Sequence, residues 1–354
     1  SEATVSAILP FTWKNPAISR RERGVFKVLK PHVPAFYAED MDLLQGLADF
    51  LKQNHARYGV GARGLADTFR EVRRLLQHEL DLRGEQRQLV RAAATYSGVR
   101  DVRVPRIILP LCTASMTAMS EERGMKITRA VRRMSKTERR RVAQQIIQAL
   151  IATPMFASSD DIVFHADPHA GNLLYDRRTR QVVILDWALV GDLSLEQRRH
   201  LMLLFLMVLL RDPVGIFDEV LALNLQRPVP KARRQAVRQA IDKFLDELPV
   251  SRMPDSMDAM SLLQKLAFES LRLPASLILL RKVMFTLEGI LQDVVGTDFA
   301  FDRILVRSLF WRWLSRKLPL GAPLGVSDWF RLQSSTLLSA TRWCLYAAQA
   351  AANR

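Results

Sequence analysis

A short polar loop, His165-Ala166-Asp167-Pro168-His169-Ala170-Gly171-Asn172, is followed fourteen positions later by Asp186 at the end of the apolar run Val182-Val183-Ile184-Leu185. No other pattern constrains this chain as much. The apolar run, bounded by polar residues, reads as a buried strand. Asn172 to Asp176 reads as its hairpin partner across the turn Arg177-Arg178-Thr179-Arg180. The hairpin then carries oxygen-bearing side chains at both ends. A lone Asp–Asn pair would be no more than a solvated loop with an Asx-type turn. Joined to a hairpin and a second Asp, it forms a donor set with Asp167 toward an attacking hydroxyl and Asn172 and Asp186 toward Mg²⁺, the arrangement phosphoryl transfer needs. His165 and His169 are alternative metal ligands, but imidazoles four apart on an irregular loop are expected to satisfy backbone groups.

The 354 residues, 49% hydrophobic and 25% charged, suffice for two lobes or domains with real cores. The formal charge of +16 arises from 52 basic against 36 acidic residues and favours anionic partners: nucleotides, acidic lipid or nucleic acid. Cys112 and Cys344 are the two cysteines, which argues against a disulfide framework and for a reducing compartment. The most apolar run, Leu201 to Leu210, is bounded by Arg198-Arg199-His200 and Arg211-Asp212-Pro213. It suits a buried helix and is too short for a membrane span. The sequence opens with Ser1, and upstream residues are expected to be missing.

Along the chain, Ile8 to Trp13 and Val25 to Leu29 read as strands around an exposed turn from Asn15 to Gly24. Helical spacing follows at Ala38 to Tyr58 and Gly64 to Thr95, then strands at Val102 to Ile108 and Ala114 to Met119, ending at a bend through Gly124. Ser135-Lys136-Thr137-Glu138 has capping-box form before a helix to about Ala152, and Ser194 with Gln197 repeats it. Later helices are expected at Ala232 to Leu248, Ser256 to Leu271, Ser276 to Val295, Arg303 to Leu318 and Val326 to Ala351. Strands early and helices late make an α+β plan: an N-lobe over 1–124 with inserted helices, a helical C-lobe over 125–300 holding the loop and hairpin, and a tail over 301–354.

Lys27, in Gly24-Val25-Phe26-Lys27-Val28-Leu29, alternates onto the face of Val25. It is either an edge-strand solubility charge or a phosphate ligand, and a carboxylate on a neighbouring helix would favour the second. Glu79-Leu80-Asp81-Leu82-Arg83-Gly84-Glu85 offers such carboxylates. Glu79 and Glu85 do not share a helix face cleanly, so one faces the cleft and the other a neighbouring segment; the alternative is a solvated helix face.

These residues resemble the UbiB family of atypical, protein-kinase-like kinases, linked to ubiquinone and other isoprenoid-lipid metabolism. The likeness rests on the loop His165 to Asn172, the Lys27 strand ending in Lys30-Pro31, and Glu79-Leu80-Asp81 with Glu85. It continues through Leu185-Asp186-Trp187-Ala188-Leu189-Val190-Gly191-Asp192-Leu193-Ser194, the Arg198 helix ending in Arg211-Asp212, and Leu287-Glu288-Gly289. The resemblance implies a bilobal kinase-like fold binding ATP with Mg²⁺ between the lobes. Lys27 would then contact the α/β-phosphates and pair with Glu85, Asp167 would be the catalytic Asp, Asn172 and Asp186 would hold Mg²⁺, and Glu79 would meet the family's N-terminal extension. That Lys-x-Gly-Gln extension is expected upstream of Ser1. The sequence departs from the family where Ser1 to Ala7 lack its run of alanines and Gly-Gln pair, where Ala170 replaces Pro, and where Ala188 replaces Gly. A positive φ at Ala188 would impose about 1 kcal/mol of strain or more.

Arg129 to Arg141 form a dense basic segment, and Val306 to Lys317 mixes Arg and Lys with Phe310, Trp311 and Trp313. Such a helix either packs on the large lobe or lies on an anionic membrane surface. No nucleic-acid module is seen and no nucleic-acid partner is expected. The expectation is a UbiB-type kinase or ATPase acting with isoprenoid-quinone or lipid metabolism, cytoplasmic and peripheral at the inner face of a membrane. A small-molecule phosphotransferase of the aminoglycoside or choline kinase type and a nucleotide-binding pseudokinase scaffold are the alternatives.

Overall fold

The computed structural model describes residues 5–15, 20–54, 73, 77, 80–249, 251–269, 271–296, 324–325, 327–336 and 339. The expected helix Arg303 to Leu318, Glu79, and most of the segment 55–79 lie outside them. Two compact units divide the chain: Ser1–Met125 with Leu174–Val190, and Lys126–Leu173 with Gly191–Arg354.

In the first unit, β1 (Ser6–Asn15) and β2 (Arg20–Leu29) pair antiparallel from Ser6↔Leu29 to Asn15↔Arg20. Both strands run further than their apolar cores, through most of the charged stretch expected to be an exposed turn. Two of the charges find ion-pair partners far along the chain, Arg23 with Glu121 and Glu22 with Arg106. Helix α1 (His32–Gln53) starts six residues before Ala38. Pro34 lies in its first turn, where a missing N–H loses nothing.

The expected single helix to Thr95 is interrupted at Asp81, whose φ/ψ of −85/74 is not helical. Its carboxylate accepts the Gly84 N–H at 2.7 Å and caps a new helix, α2 (Leu82–Thr95). The strand expected over Val102 to Ile108 is reduced to β3 (Val102–Arg103) and a bridge at Ile107↔Met119. β4 (Met116–Ser120) pairs with β2, giving a sheet of order β1-β2-β4 with β2 in the middle. After β5 (Met125–Lys126) in the chain, the expected hairpin forms from β7 (Leu173–Asp176) and β8 (Gln181–Ile184), in a sheet of order β3-β8-β7-β5.

The hairpin groups with the first unit, whereas the sequence pattern put it in the C-lobe. Parallel pairing of β8 with β3 (Val102↔Val182, Arg103↔Val183) is one cause. The other is Arg103, whose guanidinium reaches Asp176 at 3.3 Å, Gln181 at 3.3 Å and the Arg123 carbonyl at 2.9 Å.

The second unit is mostly helical. Helix α3 (Lys136–Ile147) begins with the expected capping box: Ser135 N–H donates to Glu138 Oε2 at 2.8 Å and Ser135 Oγ accepts Glu138 N–H. It runs on through a π-helical turn, Gln148–Ala152. Strand β6 (Val163–His165) leads into the polar loop. In β9 (Val190–Asp192), Gly191 lies so close to the Phe164 ring that a Cβ would overlap it.

Helix α4 (Leu195–Leu209) starts at the second capping box, Ser194 with Gln197. It buries Leu201, Leu203, Leu204, Met207 and Val208. Helices α5 (Pro213–Ala222), α6 (Lys231–Glu247), α7 (Ser256–Glu269) and α8 (Ala275–Val295) follow, and residues 327–336 are helical. Arg211, at φ 51, breaks α4 from α5, and its buried guanidinium donates to the carbonyls of Leu245, Leu248 and Pro249. Among the described residues no helix is long and apolar enough to cross a membrane.

Candidate functional site

The first unit supplies a buried lysine between two carboxylates. β2 is the central strand, with Lys27 opposite Ile8 on one side and Thr117 on the other. Lys27 is therefore not an exposed edge charge; it is 5% exposed. Its ammonium donates to Glu85 Oε1 at 2.8 Å and to Asp186 Oδ1 at 3.1 Å. Burial opposes the charge, but the two carboxylates outweigh it and hold the Lys27 amine above its ordinary pKa.

Each partner is placed by its own element. Glu85 lies in the first turn of α2, four residues past the Asp81 cap. Gln86 beside it docks the helix on β4, donating to the Thr113 carbonyl at 2.8 Å and to Thr117 Oγ1 at 3.1 Å. Asp186 leaves the end of β8 with φ 55, a left-handed conformation that Asp tolerates better than most residues. Trp187, fully buried, donates from Nε1 to the Ile184 carbonyl at 3.1 Å and lies 5.7 Å from the Tyr96 ring. That anchor fixes the turn which presents Asp186. The strain expected at Ala188 does not arise, because the positive φ falls on Asp186 and Ala188 has none.

The second unit supplies the loop after β6. Its conformation is set from within by side chain and backbone together. His165, fully buried, accepts the Asp167 N–H on Nδ1 at 3.2 Å, and His169 Nδ1 accepts the Gly171 N–H at 3.0 Å. Both imidazoles thus serve the backbone, and no cluster of three metal-ligating His, Cys, Asp or Glu occurs among the described residues. The Asp167 carbonyl takes the His169 N–H at 2.9 Å and the Asn172 amide at 3.2 Å. With its nitrogen so engaged, Asn172 retains Oδ1 as an oxygen donor. Upstream, buried Arg198 gathers the carbonyls of Pro154, Ala157 and Ser159, and Leu195 N–H donates to Asp160 Oδ1, fixing the segment that enters β6.

The structure thus joins Lys27, Glu85 and Asp186 directly, and joins Asp167 to Asn172 within one loop. Lys282 was missed by sequence reasoning. From α8 its ammonium reaches Asp167 Oδ1 at 3.3 Å. A single lysine on an amphipathic helix carries no motif that would have singled it out.

Residues 18–219 match the ABC1 atypical kinase-like domain. The chain belongs to the ABC1 family of atypical kinases. This ABC1 chain is 23% identical over 289 residues to the Arabidopsis thaliana chloroplastic protein named activity of BC1 complex kinase 7, covering 80% of this chain and 40% of that one. It is 23% identical over 324 residues to a probable protein kinase UbiB from Pasteurella multocida, covering 88% of this chain and 59% of the relative. It spans about half the length of these curated relatives. Among solved structures, the Mycobacterium tuberculosis protein Rv3197 in complex with erythromycin is similar with a TM-score of 0.55 at 17% identity, over 83% of this chain and 72% of that one. The likeness is one of fold: an α+β, kinase-like chain with a small β-containing N-terminal region and a helical C-terminal part.

Proposed function

We propose that this ABC1 chain binds ATP with Mg²⁺ and transfers or hydrolyses its γ-phosphoryl group. The observation that carries the reading is the buried Lys27 ammonium bonded to both Glu85 and Asp186. A buried ammonium with two carboxylates leaves one net negative charge. The carboxylate nearer solvent, Asp186, is 37% exposed and is an oxygen ligand of the kind hard cations take. Asn172 Oδ1 is an oxygen ligand of the same kind, and Mg²⁺ held by such ligands would neutralise charge on the phosphate oxygens.

The chain's own residues divide the remaining work. Glu85 holds Lys27 extended from the central strand, so that its ammonium is available to the α/β-phosphates without paying the ordering cost at the moment of binding. Asp167 accepts or orients the proton of an acceptor hydroxyl or of water. His165, His169 and Asn172 keep the Asp167 backbone in place. A role in isoprenoid-quinone or lipid metabolism at a membrane surface is supported by the resemblance to UbiB kinases and by the basic surface implied by the net charge of +16.

Phosphate release by the complete protein in Mg²⁺ and ATP, with and without anionic lipid vesicles, tests the reading beside Asp167→Asn. Turnover in the parent that falls by about 10² or more in the variant supports it. Equal turnover in the two proteins contradicts it.

A further inference from the structure

Lys282 stands on a firmly held helix. α8 buries Leu280, Val283, Met284 and Leu287, and Ser276 near its start reaches Asp192 Oδ1 at 3.4 Å. The neighbouring cation, Arg281, is drawn over the Phe285 ring at 4.5 Å. Lys282 instead extends to Asp167, where the two side chains are 48% and 41% exposed. An ion pair this open adds little to folding, so the contact is not what holds the loop or the helix in place.

The loop leaves this carboxylate something to need. Its internal bonds engage the Asp167 N–H and carbonyl, which fixes the main chain. They do not fix the rotation of the carboxyl group. His169 Nε2 is 3.9 Å from Asp167 Oδ2, beyond hydrogen-bond reach. Lys282 is the side chain that grips the other oxygen, Oδ1, at 3.3 Å.

Resting on the reading that Asp167 serves an acceptor hydroxyl, we propose that Lys282 is a positioning residue for phosphoryl transfer. It holds Asp167 by Oδ1 and turns Oδ2 toward the acceptor. The acceptor O–H proton passes to Oδ2, the acceptor oxygen bonds to the γ-phosphorus of ATP, and the bond to the ADP oxygen breaks. Lys282 exchanges no proton.

Lys282→Met and Lys282→Arg in the complete protein, each compared with Asp167→Asn, test the proposal. The measurements are kcat and KM for Mg²⁺-dependent ATP turnover, ATP affinity by calorimetry, and Tm. A misdirected carboxylate should lower kcat about tenfold to a hundredfold in Lys282→Met, with ATP affinity and Tm unchanged, and Lys282→Arg should recover part of the loss. Parent-like kcat in Lys282→Met, while Asp167→Asn is inactive, overturns the role of Lys282 and leaves the functional reading standing. A loss of ATP affinity or Tm in step with kcat also overturns it, as the mark of a structural part. Parent-like turnover in Asp167→Asn removes the functional reading and this proposal together.

Discussion

Lys27 and Lys282 each meet a carboxylate of the candidate site, at 2.8 Å and 3.3 Å, yet they differ in nearly every physical consequence. Lys27 and Glu85 have side chains only 7% and 3% exposed, on a central strand and a capped helix. Lys282 and Asp167 are about half in water. In the first pair, each charge has been taken out of solvent and depends on the other, so geometry there is bound up with folding. In the second, water and salt screen both charges, and the contact can be removed with little effect on the fold. The same two chemical groups therefore serve as a structural anchor in one unit and as an adjustable contact in the other.

The largest expected effect comes from taking the ammonium away from buried Glu85. Lys27→Met should destabilise the protein by about 3–5 kcal/mol in urea unfolding, and a loss under about 1 kcal/mol would erase the contrast. Glu85→Gln should cost less, about 1–3 kcal/mol, because an amide oxygen can still accept from Lys27 and Asp186 remains beside it. Lys282→Met should lie within about 0.5 kcal/mol of the parent, and a destabilisation as large as that of Glu85→Gln would show that exposure does not separate the two pairs.

Acidity sharpens the comparison further. The Lys27 amine is raised above its ordinary 10.5, burial being outweighed by the Glu85 and Asp186 carboxylates. An amine raised on folding contributes in full below its unfolded pKa and loses that contribution only as pH climbs through the folded value. The stability gap between the parent and Lys27→Met should therefore not shrink between about pH 7 and pH 9. Urea titrations at those two values check this, and a gap that narrows there would contradict it.

Much of the site was legible because its signals are local. The capping boxes at Ser135 and Ser194 and the hairpin around Arg177 to Arg180 are patterns within a few residues, and the structure forms each of them. The loop histidines were expected to serve the backbone, and they do. Errors came where distant residues decide the outcome. The charges of Arg20 to Arg23 looked like a turn, but they lie on a strand, where Glu22 pairs with distant Arg106 and Arg23 with distant Glu121. One local signal was also missed: helical spacing ran straight through Asp81, whose side chain caps a fresh helix by accepting the Gly84 N–H three residues on. Pairing of Lys27 with Glu85 came from the family resemblance and not from spacing. Lys27 with Asp186, 159 residues apart, had no local signal at all. Lys282, 115 residues beyond Asp167, was invisible for the same reason.

Everything proposed for this chain rests on Asp186 being the oxygen through which the buried Lys27 cluster takes hold of a metal-bound nucleotide. Calorimetric titration of ATP into the complete protein, with Mg²⁺ and then with EDTA, compared with Asp186→Asn, addresses this most directly. Asp186 is 37% exposed, so the variant should fold with a penalty of about 1 kcal/mol or less. Binding in the parent should depend on Mg²⁺ and weaken about a hundredfold or more in Asp186→Asn. Equal affinity in the two proteins, or binding in the parent indifferent to Mg²⁺, would contradict it.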